Sequence, residues 1–269
     1  MITLPDKLPQ QLALEISPRC NYKCPFCYCL WHEYPELAKN ILSNDQWKSI
    51  IAEAVAKGCR NFLFTGGEVL LYRNWRELVD YALNFPDVRA DIFTNASRVT
   101  EDILQYLKTR KVGISTSLQG LRTYAEMTGT RRKFYRTIEF IERCREIDYP
   151  CSVGITATAI NLFEIEDIVS AAAFAGAGII QLSVFMDAGR GKGNAALRVS
   201  EKKWLELKDR VRDLKIEVPI MFCNEFVCKC MEDKLFKCPG LDQLGAVSPN
   251  GTYRRCLHYY CNNNPSDRV

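Results

Sequence analysis

Strand-like and helix-like segments alternate from Gln11 to about Leu214, and this alternation restricts the fold more than any other feature of the chain. Strands joined in series by helices must run the same way, so the pattern implies a mostly parallel sheet. The first strand places Leu12, Leu14 and Ile16 at alternate positions. Ser43 and Gln46 then form a capping box, after which Trp47, Ile50, Ile51, Ala54 and Val55 recur at helical spacing as far as Gly58. Further strands are expected over 61–65, 90–94, 112–118, 152–158 and 179–185. Helices are expected over 75–83 and 101–108, along a face of Phe134, Ile138 and Ile141, from a cap at Asn161 and Glu164 to Gly176, and through Trp204, Leu207, Val211 and Leu214. Six strands, each followed by a helix, fit a partial (β/α)6 barrel better than a closed eight-unit barrel, which needs more chain. Ligands of such α/β folds sit at the carboxyl ends of the strands.

The first of those ends opens into Cys20-Asn-Tyr-Lys-Cys24-Pro-Phe26-Cys27, three thiols in one short loop. A four-iron, four-sulfur cube takes one thiolate on each iron, so three thiolates leave one iron open to a non-protein ligand. An open metal position marks a site for chemistry rather than a structural one. A redox CxxC or half a zinc knuckle would account for Cys24 and Cys27 but not for Cys20. Cys29 reads as a buried thiol.

Composition agrees with a large globular α/β chain. At 269 residues and 47% hydrophobic residues it can bury a sizeable core. No apolar run reaches membrane-spanning length, and Met1 to Gln10 lacks a secretory signal, so a cytoplasmic location without membrane attachment is expected. Most of the thirteen cysteines fall in two clusters, which favours metal binding over disulfides. The net charge of +4 implies no nucleic-acid partner.

The CxxxCxxC spacing with Phe26 before its last cysteine resembles the cluster loop of radical SAM enzymes. The resemblance implies S-adenosylmethionine on the open iron of a four-iron, four-sulfur cluster held by Cys20, Cys24 and Cys27. Thr65-Gly66-Gly67-Glu68 ends the second strand, and glycines there let backbone come close to a ligand. It is similar to the family's GGE motif, which assigns Gly66, Gly67 and Glu68 to the methionyl amino group, with Val69 where proline is common. Ser115-Thr116-Ser117-Leu118-Gln119-Gly120 resembles the SLDG segment of members with SPASM or twitch extensions, Gln119 replacing aspartate. Ser117 is its expected cofactor contact. Asn161 completes the rim as a cofactor-binding candidate, although a helix cap also explains it. The stretch Met127 to Arg131 looks like the same subfamily, although Arg131, Arg132 and Arg136 could simply form a solvated basic face. The glycine-rich loop after the sixth strand, Asp187 to Gly193, could hold a carboxylate or only turn the chain, and Phe185 could cover an adenine.

Beyond Leu214 periodicity fades, and six cysteines lie between Cys223 and Cys261. A boundary near Lys215 is expected, separating a barrel over 1–214 from a small cysteine-rich domain over 215–269 that metal would pin. Cys238, twelve residues, Gly251, four residues and Cys256 resemble the opening of SPASM and twitch extensions. The resemblance implies one auxiliary four-iron, four-sulfur cluster on Cys238, Cys256 and Cys261, with a fourth ligand among Cys223, Cys228 and Cys230, of which Cys230 is favoured. Structural zinc on the same thiols is the alternative.

Taken as a family member, the chain is expected to cleave S-adenosylmethionine reductively to methionine and a 5′-deoxyadenosyl radical that abstracts hydrogen, with electrons from a donor such as flavodoxin or ferredoxin. The favoured substrate is a ribosomal peptide or protein, modified by a thioether or carbon–carbon crosslink. Nineteen residues precede Cys20, too few for a fused leader-binding domain, so a separate recognition protein is expected. A twitch-type dehydrogenase of a small sugar-like alcohol is the second reading, and a non-catalytic metal-binding interaction protein the third. No residue stands out as a catalytic base.

Overall fold

The computed structural model describes residues 4–131, 133–223 and 244–257, which pack as two units. The first contains residues 4–21, 29–93 and 244–257, and the second contains 22–28, 94–131 and 133–223. Both are α/β, with mostly parallel strands, as the alternating pattern predicts.

In the first unit β1 (Gln11–Ser17) lies between β2 (Asn61–Gly66) and β8 (Leu244–Val247), parallel to both. β3 (Arg89–Phe93) extends the sheet beyond β2, and β9 (Tyr253–Arg254) runs antiparallel to β8. The capping box forms as read: the Ser43 hydroxyl accepts from Gln46 N–H at 3.3 Å and the Gln46 side chain accepts from Ser43 N–H at 2.8 Å. It starts α1 (Asn44–Ala56), which buries Trp47, Ile50, Ile51 and Ala54, while α2 (Trp75–Leu83) buries Trp75, Leu78, Val79 and Ala82. Leu12, Leu14, Phe62 and Phe64 are fully buried, each contributing about 1.5–3 kcal/mol by leaving water. On the other sheet face Ala13, Leu63 and Ala246 form a small cluster with Phe93, Leu244 and Leu257 against it.

In the second unit β4 (Gly113–Ser117), β5 (Ser152–Ala157), β6 (Ile179–Val184) and β7 (Ile220–Cys223) pair in that order, all parallel. The helices between them are α3 (Glu101–Thr109) ahead of β4, α4 (Tyr124–Thr128) and α5 (Tyr135–Glu146) before β5, α6 (Ile165–Ala175) before β6 and α7 (Glu201–Arg212) before β7. Gly176 ends α6 at φ 102°, the left-handed cap that glycine adopts without strain.

Three local readings change. The buried face of α5 is Thr137, Phe140, Ile141 and Cys144, rotated away from Phe134 and Ile138. The box at Asn161 and Glu164 does not form, because both side chains bond elsewhere. The short strands β7, β8 and β9 were not foreseen, since two to four residues give too little alternation to register. No helix among the described residues is long and apolar enough to cross a membrane.

Candidate cofactor site

Four of the motifs singled out from the sequence stand just beyond or at the carboxyl end of a parallel strand. Cys20 follows β1, Gly66-Gly67-Glu68 ends β2, Ser117 ends β4 and Asn161 follows β5. Strand polarity alone therefore gathers residues far apart in sequence onto one type of strand end.

In the first unit, backbone packing dictates the two glycines. A Cβ on Gly66 would stand 2.5 Å from the Ser17 carbonyl oxygen, and one on Gly67 would stand 2.2 Å from that of Arg19. Gly66 also has φ 131°, a conformation open to glycine and strained for other residues. Gly67 N–H donates to Ser17 O and Glu68 N–H to Arg19 O, both at 2.7 Å. The Gly-Gly pair thus clamps β2 onto the segment that delivers Cys20, so its lack of side chains serves a close protein–protein approach. Glu68 is buried, with its carboxylate accepting from Leu70 N–H at 3.1 Å. The buried Cys29 thiol donates to Gly66 O at 3.4 Å, consistent with its reading as a packed thiol.

The second unit holds Cys24, Phe26 and Cys27, all partly exposed. Cys27 N–H donates to Cys24 O at 3.2 Å, closing a tight turn between the two thiols. Two glycines press on this turn. Gly129, the left-handed cap of α4, lies where a Cβ would meet Lys23 O at 2.6 Å, and Gly189 lies where one would meet Cys27 O at 2.5 Å. Lys23 N–H donates to Thr128 O at 3.0 Å and Arg190 N–H to Cys27 O at 2.8 Å. The stretches Met127–Arg131 and Asp187–Gly193 thus hold the cysteine turn in place. Asp187 accepts from Gly193 N–H and pairs with Arg198; burial pushes its carboxyl up, but those donors outweigh burial and hold it below the ordinary value. Phe185 is buried with its ring against Gly191.

At the ends of β4 and β5 the side chains form a closed network. Gln119 accepts from Thr156 N–H at 2.8 Å, and Asn161 donates to Gln119 O and Thr156 O, each at 2.9 Å. The Asn161 carbonyl accepts from Thr158 N–H and from the Thr158 hydroxyl. With 0% exposure and both amide hydrogens and both lone pairs in use, Asn161 ties strand ends together and has no group left for a cofactor as the network stands. Ser117, half-buried at the end of β4, lies outside these bonds. Buried Glu164 accepts from the N–H groups of Leu121, Arg122 and Thr123 and from the Thr123 hydroxyl. Burial would raise its carboxyl pKa, yet these donors outweigh burial and hold it below the ordinary value.

Sequence reading placed Glu164 in a helix cap rather than as the acceptor for the Leu121 to Thr123 backbone, and missed Gln119 as a strand tie and a buried ion pair between Glu15 and Arg254. The only signal for that pair was a charged residue inside the apolar alternation of the first strand. Of the second cysteine group, Cys256 is half-exposed two residues past β9, and Gly251 has φ 89° in the turn before that strand, which explains the glycine of the Gly251 to Cys256 spacing. Cys230, Cys238 and Cys261 lie outside the described residues.

The donor set suits an iron–sulfur cube. Three thiols fall within eight consecutive residues, none of them in the apolar core, and glycines brace the turn that carries two. Among the described residues no three His, Cys, Asp or Glu side chains converge tightly enough to hold one metal ion. A cube, whose thiolates sit on separate irons, does not ask for such convergence.

Comparison with known proteins agrees. The profile of the Radical SAM superfamily matches residues 14–175, more than half of the chain. The sporulation killing factor maturation protein SkfB of Bacillus subtilis is 28% identical over 77% of this chain and 50% of its own length. The GTP 3′,8-cyclase of Mannheimia succiniciproducens is 28% identical over 51% of this chain and 42% of its own. The chain thus spans about half the length of these relatives or less. Streptococcus suis SuiB, solved with the precursor peptide SuiA, superposes with TM-score 0.77 over 96% of this chain and 62% of its own; at 17% identity that likeness speaks for fold alone. The profile match and the cysteine loop at the end of the first parallel strand place this chain in the radical SAM superfamily, whose cofactors are S-adenosylmethionine and a four-iron, four-sulfur cluster.

Proposed function

We propose that the chain is a radical SAM maturase acting on a ribosomally made peptide. When bound, the cluster and S-adenosylmethionine supply a 5′-deoxyadenosyl radical after one electron arrives from an external donor such as flavodoxin or ferredoxin. Cys20, Cys24 and Cys27 would hold the cluster. Glu68 and the backbone of Gly66 and Gly67 would face the methionyl amine, with Ser117 on the ribose and Phe26 beside the cluster. Hydrogen abstraction from the peptide leaves a carbon-centred radical. A thioether then forms as a cysteine thiol loses its proton and one electron leaves, so each crosslink removes two hydrogens.

The observation that carries the peptide reading is the likeness to SkfB, a maturation protein by name, across most of this chain. Residues 215–269 would form a SPASM- or twitch-like extension with an auxiliary cluster on Cys230, Cys238, Cys256 and Cys261, able to accept the departing electron. A separate recognition protein would present the peptide leader, and the cytoplasm would keep both clusters reduced. The likeness to GTP 3′,8-cyclase, over a shorter stretch, supports a small-molecule substrate, which is the substrate class of the second reading, a twitch-type dehydrogenase of a small sugar-like alcohol.

The test is anaerobic reconstitution followed by dithionite and S-adenosylmethionine. The chain should bind about eight irons and release 5′-deoxyadenosine. With a precursor peptide encoded beside its gene, the product should be lighter by two hydrogens per crosslink. Cys238→Ala should keep 5′-deoxyadenosine release and lose that mass change. Zinc in place of about four of the irons would remove the auxiliary cluster, and turnover of a small alcohol with no change in peptide mass would replace the peptide reading with the second.

A further inference from the structure

Arg254 and Glu15 form a buried ion pair, 4% and 1% exposed, on the sheet face that carries Ala13, Leu63 and Ala246. Arg254 stands opposite Ala246 on β9, and Ala246 stands opposite Ala13 on β1, so the row crossing the sheet here is narrow and small-chained. Only a long side chain reaches from that row to Glu15, which lies two residues further along β1. The guanidinium makes four bonds: Nε donates to the Ser248 hydroxyl at 2.9 Å, one terminal nitrogen to Glu15, and the other to the backbone carbonyls of Cys256 at 3.3 Å and Leu257 at 2.9 Å.

A buried ion pair is weak support for stability, because removing two charges from water offsets most of their attraction. What this pair does supply is position. Planar, always charged and carrying donors on separate nitrogens in a fixed fork, arginine can reach a carboxylate on one side and two carbonyls on another, whereas lysine donates from a single nitrogen. The carboxylate belongs to the strand that runs on to Cys20, and the carbonyls belong to Cys256 and its neighbour.

We infer that Arg254 and Glu15 are positioning residues for the second cysteine group. They fix the backbone of Cys256 to β1, so that its thiol is held ready for metal. The inference rests on the reading of Cys256 as an auxiliary-cluster ligand, and its test has an arm that does not.

A single substitution would strand a buried charge and could unfold the chain. The informative variant is therefore Glu15→Met with Arg254→Met, which removes both charges and keeps side-chain bulk. Arg254→Lys, which keeps a charge and loses the fork, is its companion. In iron-free, reduced protein, pulsed iodoacetamide alkylation of Cys256, read by peptide mass spectrometry, should speed up about tenfold or more in both variants, because the charge-assisted bonds to the carbonyls of Cys256 and Leu257 are gone. Alkylation of Cys59, buried elsewhere in the first unit, should not change. After reconstitution both variants should keep the first cluster and 5′-deoxyadenosine release while losing about four of eight irons. Unchanged Cys256 alkylation overturns the inference. Wild-type protein that binds only about four irons overturns the auxiliary-cluster reading instead, and leaves the alkylation result to decide positioning.

Discussion

Gly67 lies so close to Arg19 that a Cβ added to the glycine would stand 2.2 Å from the arginine carbonyl oxygen, with backbone on both sides of the contact. Neither side can move without breaking the 2.7 Å bond from Glu68 N–H to that same oxygen. Gly67→Ala should therefore destabilise the protein by about 1–3 kcal/mol, as overpacking of a tight contact does. It should also lose most 5′-deoxyadenosine release, because the displaced segment leads into Cys20. Gly193→Ala is the control, since its φ of 74° is strained but nothing lies within 4 Å of the new methyl. It should cost about 1 kcal/mol. Thermal melts and 5′-deoxyadenosine yields check both, and an active, unshifted Gly67→Ala protein would contradict the clamp.

The turn through Cys24 and Cys27 separates ligand from packing. Cys24→Ala and Cys27→Ala should each abolish 5′-deoxyadenosine formation and reduce bound iron by about four per chain. Cys29→Ser keeps a donor toward Gly66 O and should retain the first cluster and its activity. Iron and acid-labile sulfide assays, with electron paramagnetic resonance of the reduced protein, distinguish the two outcomes. Retained activity in Cys24→Ala would refute the ligand assignment.

How much of this was readable beforehand depended on how local the determining interaction is. The capping box at Ser43 lies within four residues and formed as read. The same pattern at Asn161 and Glu164 failed because both side chains are used elsewhere: the Asn161 side-chain oxygen accepts from Thr158, on the other side of the expected cap, and Glu164 accepts from the distant Leu121 to Thr123 backbone. The glycines of Gly66-Gly67 were legible as a close approach, but only the folded chain showed that the approaching group is the backbone of Ser17 to Arg19. Arg254 and Glu15 are 239 positions apart, so no window along the sequence could pair them.

Ser117 and Asn161 end neighbouring parts of the rim and should respond oppositely to substitution. Ser117→Ala removes a half-buried hydroxyl and should weaken S-adenosylmethionine binding about two- to tenfold, the effect of one hydrogen bond, with little change in melting temperature. Asn161→Ala leaves the carbonyls of Gln119 and Thr156 without their donor and should lower stability by about 1–3 kcal/mol. Cofactor affinity, measured at a temperature where that variant is folded, should stay near wild type. Calorimetric titration and melting curves test the pair, and a large affinity loss confined to Asn161→Ala would restore it as a cofactor contact.

Glu164 makes part of the protein's stability dependent on acid. Its carboxylate is buried and collects three backbone N–H groups and the Thr123 hydroxyl, which hold its pKa below the ordinary 4.5 despite burial. A carboxyl whose folded pKa is depressed adds stability above its unfolded value, and that stability is lost as pH falls through the folded value. The contribution should thus be complete at pH 7 and shrink below pH 4.5. Glu164→Gln keeps the shape but turns an amide toward N–H donors, so at pH 7 it should lose about 1–3 kcal/mol, or roughly 3 to 10 °C in melting temperature. The gap to wild type should narrow as the buffer is taken below pH 4.5, because protonation then deprives the wild type of the same acceptor. A gap of constant size across that range would mean that Glu164 acts by filling space rather than as an ion.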